Sequence, residues 1–343
     1  MDGTVYEFER LPMATQRPVP AAARRAGGGP SGALVGVIRN PRSHRNKGHA
    51  PEMAERPDVI TRTPRTREEL ARDLVEMAGM GIAMLAVDGG DGTVRDVLTC
   101  GASCFGENWP RMIVLPKGKT NALAVDLGLP NHWSLAEALD AARRGPGVER
   151  RPVVVNGAGA NGGSLVGFFL GAGIFTTATN EGQVAHRYGA FNSFAVGLTA
   201  VSGILQGLFG TGSRGWRGIT PIKLFLGEEA REVRHSQYGP PETRYAILVS
   251  TLNDFPLGIK PFGKQPDGLK YLLVDYPLRR VVALAPALLA GWEGALLGRL
   301  GVHRGHAQEA IFDVGDKFIL DGEAFPAGRY RLTLGPKLNF VAP

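Results

Sequence analysis

Strand and helix signals alternate from residue 33 to residue 145, and glycine-rich turns follow two of the apolar runs. After Arg151 the rhythm changes to short strands separated by Gly, Pro and Asn. These observations predict an α/β plus all-β chain: a Rossmann-like α/β domain over residues 33–145, a β-sandwich-like, β-rich domain over residues 146–343, and a disordered tail over residues 1–32. The C-terminal segment is free to pack back on the first domain. A chain of 343 residues exceeds one typical domain, which agrees with this division.

The tail carries the run Gly27-Gly28-Gly29-Pro30, a composition that does not build a core. Ala33 to Arg39 is an apolar strand ending in the Asn40 loop, and Val59 to Thr61 is a second, short strand. Thr66 and Glu69 have the spacing of a capping box, which starts a helix running to Met80. Ile82 to Val87 is the strand that enters the turn Gly89-Gly90-Asp91-Gly92-Thr93, and Val94 to Cys104 is the helix behind it. Met112 to Leu115 is a further strand, ending in a second loop. Ser134 and Glu137 repeat the capping-box spacing at the head of a helix to Arg144. Alternation of this kind implies a mostly parallel sheet with both loops at the carboxyl ends of strands, where such sheets bind ligands. Beyond Arg151, Val153–Val155, Leu165–Leu170, Ile222–Leu226, Tyr245–Thr251 and Tyr271–Val274 read as strands. Two Leu- and Gly-rich stretches, Phe191–Phe209 and Val281–Leu300, read as core helices, with walls of an acyl-chain pocket or a membrane-facing lip as the functional alternative.

The 43% hydrophobic content is ordinary for a soluble protein, and no run of 18 uncharged apolar residues predicts a transmembrane helix. No basic-then-apolar segment with a cleavage site opens the chain, so a cytoplasmic location is expected. Cys100 and Cys104 are the only cysteines and have no third or fourth ligand beside them, which argues for reduced thiols over zinc. The net charge is +7 and the isoelectric point 9.6. Basic residues cluster at Arg39, Arg42, Arg45 and Lys47, and again at Arg62, Arg65 and Arg67. Nucleic acid, anionic lipid or ATP would each suit them; no nucleic-acid motif is visible, which sets the first aside.

Glycines at 89, 90 and 92 let a backbone approach a ligand closely, and the helix behind them turns its partly positive end toward that ligand. Phosphate suits such an end. A carboxylate there calls for a metal ion or a proton transfer, which makes Asp91 the first candidate; helix capping is its structural alternative. Gly118-Lys119-Thr120 fails as a P-loop because the required earlier glycine is Ile113. Gly157, Gly159 and Gly162, with Glu181 downstream, have dinucleotide spacing, but Gly163–Leu170 reads as a strand where a helix is needed, so a glycine-rich hairpin is the better account. His303 and His306 read as surface histidines.

Gly89-Gly90-Asp91-Gly92-Thr93 resembles the nucleotide loop shared by diacylglycerol, sphingosine, ceramide and NAD kinases. Leu115-Pro116-Lys117-Gly118-Lys119-Thr120-Asn121-Ala122-Leu123-Ala124, with Leu127-Gly128-Leu129-Pro130, is similar to the second loop of the lipid kinases among them. Leu320-Asp321-Gly322-Glu323 resembles their C-terminal Asp-Gly-Glu element, and Asn40-Pro41-Arg42-Ser43 their first loop. The resemblance, to a divergent bacterial-type member, spans about residues 34–343. It implies a nucleotide domain, a lipid-binding domain and an active site in the cleft between them. It implies ATP and Mg²⁺, a membrane lipid as substrate, an anionic membrane surface as partner, peripheral membrane association and, as a further partner, a second copy in a homodimer. In these terms Asn40, Pro41, Arg42 and Ser43 touch nucleotide phosphates with Thr63 near them; Gly89, Gly90, Asp91, Gly92 and Thr93 hold ATP, with Lys119, Thr120 and Asn121 completing the nucleotide site. Asp91 organises Mg²⁺, Asp321 is the base for the lipid hydroxyl with Glu323 beside it, and Asp267 is a candidate for a structural cation or an ordinary turn residue.

The chain departs from the bacterial diacylglycerol-kinase pattern. Lys119 stands where threonine is usual, Ala122 replaces an acid, and the acid expected near Pro152 is missing. Asn121-Ala122-Leu123-Ala124 is closer to the sphingosine-kinase loop, which favours a ceramide or sphingoid acceptor slightly over diacylglycerol. The alternatives are an NAD kinase-like enzyme, against which the second loop argues, and a catalytically inactive lipid-binding protein.

Overall fold

The structure, a computed structural model, describes residues 33–157, 163–176 and 219–343. The tail, the Phe191–Phe209 stretch, and Gly159, Gly162 and Glu181 lie outside the described residues. The described residues form two compact units, one of residues 33–152, 165–167 and 335–343, the other drawn from residues 153–164 and 168–334.

The first unit is an α/β layer. Its strands are β1 (Val35–Arg39), β2 (Val59–Arg62), β3 (Met84–Gly89), β4 (Arg111–Pro116) and β5 (Val148–Arg150), and its helices α1 (Arg67–Gly79), α2 (Asp91–Phe105), α3 (Ala122–Asp126) and α4 (Leu135–Arg144). The strand order is β2-β1-β3-β4-β19-β5, where β19 (Leu338–Phe340) is the last strand of the chain. Adjacent strands run parallel except for β5, which is antiparallel to β19. The chain end therefore completes a sheet begun some 300 residues earlier: the Val341 amide donates to the Met112 carbonyl at 2.8 Å. The central strands are buried on both faces, as parallel strands covered by helices must be.

Local signals set the helix starts. Ser134 and Glu137 form the full capping box of α4. The box at Thr66 closes only halfway: the Thr66 hydroxyl accepts from the Glu69 amide, while the Glu69 carboxylate accepts from the Arg65 amide at 2.6 Å. Helix α2 starts at Asp91, three residues before the expected Val94, because Gly90 serves as its N-cap. Asp91 thus sits in the first turn of the helix.

Apart from Leu165–Gly167, which count with the first unit, the remaining strands form two antiparallel sheets in the second unit. The first contains β6 (Val153–Gly157), β7 (Gly163–Gly167), β9 (Thr220–Leu226), β10 (Arg231–Glu232), β15 (Glu309–Val314) and β18 (Gly328–Leu334), in the order β10-β9-β15-β18-β6-β7, with β11 (Thr243–Arg244) paired to β9. The other contains β8 (Phe169–Gly173), β12 (Ala246–Ser250), β13 (Leu269–Val274), β14 (Val302–Ala307), β16 (Phe318–Leu320) and β17 (Glu323–Phe325), in the order β14-β13-β12-β8-β16-β17. The single strand expected over Leu165–Leu170 is two strands, β7 and β8, because the chain changes sheet at Phe168. The Val281–Leu300 stretch contains most of α5 (Arg279–Leu289) and all of α6 (Ala295–Arg299). Among the described residues no helix is long and apolar enough to cross a membrane.

An aromatic cluster packs these two sheets face to face. Phe312 of β15 and Tyr330 of β18 meet Phe318 of β16, with ring centroids 5.7 and 5.0 Å away, and Phe318 stacks on Phe325 of β17 at 5.5 Å. All four rings are buried. Replacing Phe318 by Ala should lower unfolding stability by about 3–5 kcal/mol, measured by denaturant titration, because the cavity lies where both sheets converge.

Candidate functional site

Four of the parallel strands deliver the predicted loops to one edge of the α/β sheet. Asn40 follows β1, Thr63 follows β2, Gly89 ends β3 and Lys117 follows β4. Hydrogen bonds then join three of the loops. Asn40 Nδ2 donates to Thr93 Oγ1 at 3.0 Å, the Lys117 amide to the Gly89 carbonyl at 3.0 Å, and the Arg45 amide to the Lys117 carbonyl at 3.1 Å. Asn40 also organises its own loop, its side chain accepting from the Arg42 amide at 3.0 Å and its carbonyl from the Ser43 amide at 3.1 Å. Arg42 reaches the Arg65 carbonyl, which ties the first loop to the segment after β2. Pro41, Arg42 and Thr63 are exposed and Ser43 is half-buried.

Gly90, one of the three glycines of the first turn, has a packing role with Gly118 of the second loop. A Cβ on Gly90 would come 2.9 Å from Gly118 Cα, and one on Gly118 would come 2.7 Å from Gly90 Cα. These two glycines are needed where the turn before α2 touches the second loop, whatever else approaches them. The second loop is closed by Asn121, which adopts a left-handed backbone (φ 51°), accepts from the Gly118 amide at 2.8 Å and donates to the Gly118 carbonyl at 3.0 Å. Lys119 and Thr120, at the tip of this loop, are exposed.

Asp91 is half-buried and turned toward the second loop. Its carboxylate accepts from the Ala122 amide at 2.9 Å and from the Leu123 amide at 3.4 Å, capping α3 across the loop contact. Burial pushes its carboxyl above the usual carboxylate range, against the pull of those amides. The residue singled out for a ligand thus also carries a structural duty.

Below the loops lies a polar knot that the sequence reading missed. Arg39 and Asp88 are the last and penultimate residues of β1 and β3, face each other in register, and form a buried ion pair at 2.6 Å. Asn46 donates to the Asp88 carboxylate at 2.9 Å, to the Asp88 carbonyl at 3.1 Å and to the Asn40 carbonyl at 3.0 Å. Arg39 also donates to the His49 carbonyl at 2.6 Å. The available signal was a charged residue at the end of each of two apolar strands. Beside the knot opens a pocket of about 480 Å³ whose charged lining is Arg39, Arg45, Lys117 and Glu52, with His49 and His132. Glu52 pairs with Lys117 at 2.9 Å and accepts from the Leu135 amide at the head of α4.

In the second unit, Asp321 and Gly322 are the two central residues of the β16–β17 hairpin, with φ of 44° and 85° and Leu320 paired to Glu323. Two positive φ values in succession make a type I′ turn, the geometry that an Asp-Gly pair favours. The Asp321 carboxylate accepts from the Phe168 amide at 3.0 Å and the Phe169 amide at 3.0 Å, at the entrance to β8, and its own amide donates to the Phe169 carbonyl at 2.9 Å. Glu323 is half-buried one residue past the turn. Asp91 and Asp321 belong to different units. Asp267 is exposed in a bend before β13, and among the described residues no group of three or more His, Cys, Asp or Glu side chains gathers for a metal.

Cys100 and Cys104 lie on α2 as free thiols, pushed up to about 12 and about 11 by burial, so neither is a nucleophile at neutral pH. His303 departs from its expected surface role: its Nε2 lies 2.9 Å from Asp275, a fully buried carboxylate that also binds Arg244 and the Ser236 amide. Burial would raise the Asp275 carboxyl, but His303, the Ser236 amide and Arg244 together hold it below the ordinary range. His306 is exposed as expected.

The Asp88→Ala variant leaves Arg39 buried without its counter-charge and should lose about 3–5 kcal/mol of stability. The double variant Arg39→Met, Asp88→Leu should lose less than Asp88→Ala alone in the same thermal unfolding experiment.

Residues 35–150, which carry the stitched loops, match the diacylglycerol kinase catalytic domain. A stretch of 74 residues is 36% identical to the probable lipid kinase YegS of Shigella flexneri and of Escherichia coli O1:K1 / APEC, covering 22% of this chain and 23% of each relative. The match thus spans about a quarter of the length of these curated relatives. The fold resembles the crystal structure of a diacylglycerol kinase from Bacillus anthracis str. Sterne, with a TM-score of 0.58 and 16% identity over 90% of this chain and 97% of that one; a second structure from the same organism reaches 0.61. The family match thus covers the part of the chain whose loops are joined at the edge of the parallel sheet, and the similarity to solved structures extends the likeness of fold to most of the rest.

Proposed function

We propose that the protein transfers the γ-phosphate of ATP to a hydroxyl of a membrane lipid, with a ceramide or sphingoid acceptor ahead of diacylglycerol, while peripherally associated with the membrane. The observation that carries this reading is the joining of the Asn40, Gly89–Thr93 and Lys117–Asn121 loops at the carboxyl ends of β1, β3 and β4 in a diacylglycerol kinase catalytic domain. Phosphoryl transfer asks mainly for positioning and for neutralisation of charge, and these loops supply backbone amides, the start of α2 and the Lys119 ammonium. In the adjoining pocket Arg39 and Lys117 are balanced by Asp88 and Glu52, while Arg45, which donates to the Pro116 and Asn131 carbonyls, adds positive charge.

Mg²⁺ fits the donor set. It keeps several waters and commonly binds through one or two carboxylates plus substrate phosphates, so a dense acidic cluster is not required. Asp91 would hold it through carboxylate lone pairs beyond those taken by the Ala122 and Leu123 amides. When bound, the ion supplies charge neutralisation on the phosphates. In the reaction, the acceptor hydroxyl gives its proton to a carboxylate, its oxygen bonds to the γ-phosphorus, and ADP leaves. Asp321 is assigned the proton, because the Phe168 and Phe169 amides hold its carboxylate in one orientation. Glu323 is assigned to orient the hydroxyl. A second reading, a lipid-binding protein without turnover, is favoured by Ala122 in place of an acid and by the structural duties of both Asp91 and Asp321.

Labelled ATP with Mg²⁺ and a panel of ceramide, sphingosine, diacylglycerol and monoacylglycerol in detergent, with NAD as a soluble control, should label ceramide or sphingosine first. No labelled lipid would favour the protein without turnover, and labelled NAD would point to an NAD kinase-like enzyme. Asp321→Asn should keep the hairpin, since an amide oxygen still accepts one hydrogen bond, and should lower kcat by roughly 10²–10⁴; full activity would refute the base assignment. Lys119→Ala should raise the KM for ATP while leaving that for lipid unchanged.

A further inference from the structure

Helix α5 lies at the surface of the second unit, yet between Arg280 and Glu293 the chain has no charged residue. Val281, Val282 and Leu288 are buried, while Ala283, Pro286 and Ala290 are exposed at i, i+3 and i+7, which places them on one side of the helix. A surface helix ordinarily turns charged residues to water on that side. The apolar exposure continues past its end: Trp292 is 40% exposed, Leu296 of α6 51%, and Leu257 73%.

These residues are held on one support. The Lys260 amide donates to the Leu289 carbonyl at 2.6 Å and the Lys264 amide to Glu293 Oε1 at 2.7 Å, so the segment of Leu257 runs beside the end of α5. Arg304 of β14 donates to the Leu288 and Trp292 carbonyls at 2.6 and 2.8 Å and holds the backbone between α5 and α6. Cations flank the apolar strip: Arg279 and Arg280 at one end, Arg299 at the other, Lys260 and Lys264 alongside. All five are exposed, and none is in an ion pair with a described residue. Glu293 is the only acid between Arg279 and Arg299, and its carboxylate is taken up by the Lys264 amide.

We propose that residues 279–299, with Leu257, Lys260 and Lys264, form a face that lies on an anionic phospholipid bilayer. Leu257, Trp292 and Leu296 enter the boundary between headgroups and acyl chains, and the flanking cations reach the phosphates. Charge decides the occupant. A second copy meeting this face across a two-fold axis would set like charges against each other, whereas an anionic bilayer complements all five. This inference deepens the membrane association of the reading above, but its test needs no turnover.

Co-sedimentation of the full chain with phosphatidylcholine vesicles, with and without phosphatidylglycerol, tests it. Leu257→Glu and Leu296→Glu alter exposed positions, so the thermal transition should stay in place while vesicle binding falls at least about tenfold each. Arg279→Gln and Arg280→Gln should each weaken binding roughly fivefold on vesicles containing phosphatidylglycerol and leave binding to phosphatidylcholine alone unchanged. Brominated acyl chains should quench tryptophan emission in the wild type and much less in Trp292→Phe. Wild-type binding by both Glu variants overturns the proposal. So does their conversion of a dimer to a monomer in sedimentation velocity with no change on vesicles, since a second copy would then be the occupant. Phosphorylation of detergent-dispersed lipid should be the same in wild type and the Leu257 and Leu296 variants; its absence in all three counts against the kinase reading and leaves the vesicle result standing.

Discussion

The buried pair of Arg39 and Asp88 is the constraint on which the edge of the α/β sheet depends. Two charges removed from water at the ends of adjacent strands are costly unless their remaining hydrogen-bonding capacity is used. Here it is used by the chain that follows β1: Asn46 donates to both the carboxylate and the carbonyl of Asp88, and Arg39 reaches the carbonyl of His49. The segment between β1 and β2 has no helix or strand of its own, so these side-chain bonds give it a shape. Once that segment is folded over the strand ends, Asn40 can meet Thr93 and Arg45 can meet Lys117.

The two acids singled out for chemistry share a physical trait. Each spends carboxylate oxygens on backbone amides at the start of another element, Asp91 on α3 and Asp321 on β8. A carboxylate held this way loses little orientational freedom when a ligand arrives, and preorganisation of that kind is how a site avoids reorganisation during reaction. The same bonds explain why neither acid is a simple surface group. Removing either side chain outright would disturb a cap or a strand entrance, which is why amide replacements separate chemistry from folding better than alanine does.

The face built on α5 follows a different logic. Most of the chain hides apolar residues by pairing elements, as the Phe312–Phe318–Tyr330 cluster does between two sheets. Around α5 and α6 apolar side chains stay exposed while the backbone beneath them is pinned by Arg304 and the Lys260 and Lys264 amides. Rigid support under an exposed apolar strip, with unpaired cations at its margins, suits a surface that meets another phase.

Much of this architecture was legible in the residues themselves. Period and capping signals located α1 and α4, and Gly89-Gly90-Asp91-Gly92-Thr93 marked the β3–α2 turn, because such features act over a few bonds and leave a local trace. The family resemblance, too, rested on ordered short motifs. What tertiary structure alone decided involves partners distant in sequence. The return of β19 to β4, the Arg39–Asp88–Asn46 knot, the contact of Gly90 with Gly118 and the capping of α3 by Asp91 each join segments separated by tens to hundreds of residues. A lone Arg or Asp at the end of an apolar strand does not say which cation or carboxylate will face it; only the strand register does, and register is a property of the folded sheet.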